Sequence, residues 1–187
     1  MVHVPGIWLP ILLAAGLVFV ASSVIHTVLN YHRTDFGSVP DEDGVMDALL
    51  EFEIPPGDYS FPHPTDKEML KSEAFREKAT RGPTGFMTLL PSGDPFNMGR
   101  QLVQWFIYCI VVSLFAGYVT GLALGPGTAY MEVFRMSSTV AFGGYGLAHM
   151  QRSIWYSQAW GTTARNMLDG AVYGLLTGGA FGWLWPA

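Results

Sequence analysis

The chain has 187 residues, half of them apolar and only 13% charged. A soluble domain carries about 25% charged residues, so an ordinary soluble globule is a poor fit. The net charge of −5 argues against nucleic-acid binding, and the single Cys109 excludes a disulfide framework.

The charge is not spread evenly. Of the 25 Lys, Arg, Asp and Glu residues, 20 lie between Tyr31 and Arg100. The remainder is nearly uncharged, which is a membrane pattern. The expected fold class is an all-α integral membrane protein with four transmembrane helices. A proline-rich, partly helical cytoplasmic segment separates spans one and two.

Residues 1–30 hold the first span, an apolar run from Gly6 to Asn30. It is longer than the apolar part of a secretory signal peptide, and no Lys or Arg precedes it, so it reads as a retained span. Pro10 falls near its start, where a missing N–H is tolerated.

Residues 31–100 hold 8 of the 12 prolines and 13 of the 15 acidic residues. Pro40-Asp41-Glu42-Asp43 reads as a helix start, with acid at the positive end of the dipole. Val45, Met46, Leu49, Leu50 and Phe52 continue it as a short amphipathic helix. Pro62-His63-Pro64 is expected to be extended. Thr65 is placed to cap a second helix reaching Arg81, stopped by Gly82-Pro83. The stretch from Gly85 to Asn97 has apolar residues, Phe96 among them, but no clear period. So little apolar material is thin for an independent core, and the segment is expected to lie against the membrane part or a partner.

Residues 101–187 are expected to form a three-helix bundle with spans at about 101–124, 129–150 and 167–185. Gly117, Gly121 and Gly125 sit four residues apart, and so do Gly170, Gly174, Gly178 and Gly182. Residues i and i+4 share one helix face. Such ridges cost helix stability in water but let helices approach closely in lipid. Gly143 is counted with them as a packing position of the small, polar third span. Trp155, Tyr156 and Trp160 suit one interface and Trp183 and Trp185 the other.

Seven Lys and Arg residues lie in 31–100 and two in 151–166. That bias puts both segments in the cytoplasm and both termini outside. Several strings resemble a family of small four-span bacterial membrane proteins to which no activity is assigned. They are Trp8-Leu9-Pro10-Ile11-Leu12, Tyr31-His32-Arg33-x-Asp35, Pro40-Asp41-Glu42-Asp43, Pro56-Gly57-Asp58-Tyr59 and Ser153-Ile154-Trp155-Tyr156. The resemblance implies topology and bacterial origin, and nothing about a reaction.

Two histidines could carry chemistry. His26 and His149 fall near the cytoplasmic ends of spans one and three, where they could ligate a haem or pigment between helices. The plainer role is a bond to a neighbouring carbonyl or hydroxyl. Glu132 and Arg135, i and i+3, read as an intramembrane ion pair, as do Arg165 and Asp169 at i and i+4. His3, His32 and His63 lack zinc-ligand spacing, so no metal site is expected. No phosphate loop, G-x-S-x-G or H-E-x-x-H occurs. The leading expectation is a non-enzymatic structural or assembly subunit of a larger membrane complex in an energy-transducing membrane. Its partners would be lipid and other membrane subunits. A haem- or pigment-binding protein and a small transporter are the alternatives.

Overall fold

The structure is a computed structural model that describes residues 1–93 and 97–187. It is mostly helical. The chain divides into two compact units, residues 1–37 with 97–187, and residues 38–96.

The first unit is built from four long helices: α1 (Trp8–Thr27), α5 (Gly99–Ala123), α6 (Tyr130–Tyr145) and α8 (Trp160–Trp183). They pack in a ring in which α1 touches α5 and α8, and α6 touches the same two. The runs Val4–Thr27 and Gly99–Ala123 are long and apolar enough to cross a membrane. The other two, α6 and α8, are less apolar. The third element is also shorter than expected. After Tyr145 the chain tightens into a 3₁₀ turn, Leu147–His149, and a short helix α7, Met150–Tyr156. α8 starts at Trp160, seven residues before the expected position.

Polar and apolar groups are distributed unusually. Outward positions carry large apolar side chains, including Val20, Val24, Val103, Ile107, Val111, Phe115 and Leu175, each more than a third exposed. The interior holds Ile7, Val18, Val133 and Phe181 together with the small Ala14, Ala15, Ala116 and Ala141 and the hydroxyls of Thr120, Ser137 and Thr177. Each hydroxyl donates to the carbonyl four residues back, on Ala116, Val133 and Tyr173, at 2.7, 2.7 and 2.8 Å. A helix can thus bury Ser or Thr without an outside partner.

The glycines show where backbones meet. A Cβ on Gly170 would lie 2.6 Å from the Cα of Gly146, and one on Gly174 3.0 Å from the Ser138 carbonyl oxygen. A Cβ on Gly178 would strike the Ser138 hydroxyl, and one on Gly182 would come within 2.7 Å of the Tyr130 ring. Gly170, Gly174, Gly178 and Gly182 of α8 therefore face α6 and the turn that follows it, whereas Gly161 and Gly179 do not. Gly117 faces Phe181 and Ile7, and Gly121 meets the backbone of Val2. Gly125 and Gly143, expected among the packing positions, have no atom within 4 Å of a built Cβ, so no close contact depends on them. On the third helix Gly144 packs instead, against Val112.

One end of this bundle is tied by its termini. The Val2 amide donates to the Gly121 carbonyl at 2.9 Å and the Gly127 amide to the Pro186 carbonyl at 2.9 Å. The Trp185 indole donates to the Gly125 carbonyl at 3.0 Å. Gly127 takes φ +71° in the α5–α6 turn, a conformation that glycine adopts freely.

The second unit holds three short helices, α2 (Glu42–Glu51), α3 (Lys67–Lys71) and α4 (Glu73–Arg81), and two strands. The expected single helix to Arg81 is broken at Ser72, whose backbone is extended (ψ 150°). The caps are Asp66, accepting from the Met69 amide at 2.7 Å, and Ser72, accepting from the Phe75 amide at 3.1 Å. Thr65 is not the cap. A side chain that satisfies the orphan amides of a new helix competes with continuation of the old one. The strands were not anticipated. β1 (Gly57–Phe61) pairs antiparallel with β2 (Gly85–Leu89), Gly57 opposite Leu89 and Phe61 opposite Gly85. No residue from 38 to 93 is buried. Phe96 lies outside the described residues.

Candidate functional site at the α1–α8 end

At the end of the bundle away from the termini, charged and aromatic side chains converge. His26 is in the last turn of α1, where its Nδ1 lies 3.0 Å from the Ser22 carbonyl. Leu29 is extended, and a 3₁₀ turn, Asn30–His32, folds the chain back. That reversal lays the His32 ring on the His26 ring, centroids 4.7 Å apart and 11° from parallel. Tyr31 packs beside His32 at 4.3 Å.

The first half of α8 supplies the other side. Arg165 and Asp169 share a helix face. They are not paired with each other, as the sequence suggested, but each reaches the segment after α1. Arg165 bonds Asp35 through Nε at 2.7 Å and through a terminal nitrogen at 2.5 Å. Asp169 accepts the Tyr31 hydroxyl through Oδ1 and meets His32 Nε2 at 2.8 Å through Oδ2. His32 Nδ1 lies 2.6 Å from Asp35 Oδ2. The chain of contacts runs Arg165, Asp35, His32, Asp169, Tyr31.

Burial makes these bonds matter. Asp169 is 3% exposed, and a buried carboxylate without partners would be costly. Burial pushes the Tyr31 hydroxyl up to about 12, helped by its bond to Asp169 and by the nearby carboxylate charges. Burial alone would raise Asp35. The hydrogen bonds from His32 and Arg165 and the guanidinium charge outweigh it and hold this carboxyl below its usual range.

Beneath the cluster the interior is aromatic. The Trp105 indole donates to the Ser22 hydroxyl at 2.7 Å. Its ring meets Tyr108, Tyr145 and Tyr173 at 5.6 to 6.1 Å. The Tyr173 hydroxyl is buried and has no hydrogen-bond partner among the described residues.

His149 does not join His26. It lies in the 3₁₀ turn after α6, while the close group of ligating atoms is His26, His32 and Asp169. Glu132 and Arg135 are both exposed and form no ion pair among the described residues. Tyr31, His32 and Asp35 were missed as site residues because their partners are about 130 to 138 positions away. The available signal was local: His and Asp three apart after one span, Arg and Asp four apart at the head of another. No family model matches the chain, and neither a curated protein nor a solved structure is similar to it.

Chemically, the arrangement holds a continuous path of exchangeable protons and a set of two imidazoles and a carboxylate. It contains no activated nucleophile of the Ser–His or Cys–His kind, since Cys109 is buried elsewhere, among apolar side chains.

Proposed function

We propose that this protein is a four-span integral membrane protein that serves as a non-enzymatic subunit of a larger membrane complex. The observation that carries the membrane part is the apolar outer face of the bundle, which bears large exposed side chains such as Val20, Val103, Ile107, Val111 and Phe115, while buried Thr120, Ser137 and Thr177 bond within their own helices. Lipid would cover the outer face, and backbone contact along glycines supplies helix association where the hydrophobic effect does not act between helices. α6 and α8 are the less apolar pair: Ser137, Thr163, Asp169 and Thr177 on them are buried, while Glu132 and Arg135 are exposed. The Lys and Arg bias supports a cytoplasmic location for residues 31–100 and outside termini, and the family resemblance supports a bacterial inner membrane.

The subunit reading is supported by residues 38–93. A segment with no buried residue carries Met46, Leu50 and Phe52 on or beside α2, each more than half exposed. Apolar surface of this kind marks a contact with something else. Solubilisation in mild detergent followed by mass measurement tests the proposal. The expected particle is heavier than one 20.5 kDa chain with its detergent and contains a second polypeptide in fixed ratio. A lone chain, recovered intact and monodisperse, overturns the subunit reading. Topology is tested separately with a reporter active only in the cytoplasm. Activity is expected after Ser72 and not after Ala187; activity at both points excludes four spans.

A further inference from the structure

We propose that His26, His32 and Asp169 form a binding site for a divalent first-row transition-metal ion of the zinc class. One ligating atom from each of the three lies within 4.8 Å of the others. Two imidazoles and a carboxylate are a donor set such ions take, and three protein donors leave a position open to solvent.

The outer bonds distinguish this group from a chance cluster. His26 Nδ1 faces the Ser22 carbonyl, which can only accept, so Nδ1 carries the proton and Nε2 keeps a lone pair. His32 Nδ1 faces Asp35, which Arg165 fixes in turn, so Nε2 is its inward nitrogen. Asp169 gives Oδ1 to the Tyr31 hydroxyl and keeps Oδ2 toward His32 Nε2, 2.8 Å away. Each of the three ligands thus has the kind of partner that orients metal ligands and sets the imidazole tautomer.

In the metal-free arrangement a proton lies between His32 Nε2 and Asp169 Oδ2. A zinc ion binds such nitrogen and oxygen atoms at about 2.0–2.2 Å, so replacing that proton requires the two atoms to move apart from 2.8 Å to the spacing of a tetrahedral ligand pair, about 3.3–3.6 Å. The two imidazole rings are nearly parallel, so closing on the ion requires one to turn. His26 is the exposed member, with its Nδ1 on the Ser22 carbonyl, and the turn falls to its ring. The proton leaves as the divalent ion binds, so the cluster of Asp35, Asp169, His32 and Arg165 gains one positive charge. The bound ion would join the end of α1 to α8.

The test uses the full chain in mild detergent, stripped with a chelator and titrated calorimetrically with zinc chloride. One zinc per chain is expected. His26→Ala and His32→Ala should each weaken binding by about tenfold or more, while His149→Ala and His63→Ala should leave it unchanged. His26→Ala removes an exposed ring and should keep the wild-type helical circular dichroism. Zinc should raise the melting temperature of the wild type and not of that variant. Absence of saturable binding in the wild type overturns the site. So does binding that survives either His26→Ala or His32→Ala, or that is lost with His63→Ala.

Discussion

The two ends of the helical bundle are closed by different means. At the end holding the termini, two backbone amides and one indole bond to the carbonyls of Gly121, Pro186 and Gly125. At the other end, Tyr31, His32 and Asp35 bond Arg165 and Asp169 through side chains alone. The two backbone bonds of the first closure are indifferent to side-chain identity and to pH, and only the Trp185 bond depends on a side chain. Side-chain closure depends on five particular residues and on their protonation, so chemistry and regulation can reside there. Between the ends, α8 holds α6 through glycines and neither kind of bond is required.

That contrast predicts a ranking of substitutions. The largest effect belongs to the middle. Gly178→Leu would drive a side chain into the Ser138 hydroxyl and toward the Phe134 carbonyl, 2.8 Å from a Cβ. Overpacking costs about 1–3 kcal/mol or more, and rigid backbone opposite gives little room to relax. Loss of most monodisperse protein in mild detergent is expected. Gly143→Leu, with open space around it, and Leu175→Ala, 55% exposed, should be recovered near wild-type yield. Equal recovery of all three would mean that α6 and α8 do not meet along this face.

Next comes the polar end. Asp169→Asn leaves His32 and Tyr31 without their charged acceptor in a nearly buried place, a loss of about 1–3 kcal/mol. Chemical denaturation in detergent would measure it. The same end confers a pH window. Asp35 titrates lower in the folded state than in the unfolded chain. Its contribution is therefore present above the ordinary carboxylate range and lost as pH falls below it. Tyr31 is raised to about 12 in the folded state. Its contribution is full below the ordinary tyrosine value of about 10 and lost as pH rises from there toward 12. Melting temperature should form a plateau that falls on both sides, and Tyr31→Phe should make the alkaline limb shallower. An alkaline limb unchanged in Tyr31→Phe would assign it to another group.

The smallest effect is expected at the backbone-tied end. Trp185→Phe removes one indole–carbonyl bond and keeps an aromatic ring, a net cost of about 0.5–1.5 kcal/mol. If it destabilises more than Asp169→Asn, measured by the same denaturation, the contrast between the two ends is wrong.

The reading of Tyr31 to Arg100 shows how far pattern reaches. Pro40 to Phe52 carries its own start signal and its own apolar period, and α2 forms there, Glu42–Glu51. The strands Gly57–Phe61 and Gly85–Leu89 have no legible period of their own. They exist because each supplies the other's hydrogen-bond partners across more than twenty residues. Within the helices, glycine spacing marks a potential contact face, but Gly143 and Gly144 are indistinguishable in sequence. Helix rotation puts Val112 against Gly144 and open space beside Gly143.

By itself, the sequence determined the segregation of charge into Tyr31–Arg100, the long apolar runs around α1 and α5, and the glycine faces. These depend on composition and on a period of a few residues, which the chain carries locally. Only tertiary structure decided that His26 belongs with His32 and Asp169 rather than with His149. It also decided that Arg165 pairs with Asp35 instead of the aspartate one turn away. A charged side chain can satisfy itself with any partner within a few ångströms. Helix packing, and the reversal at Asn30–His32, determine which partner that is.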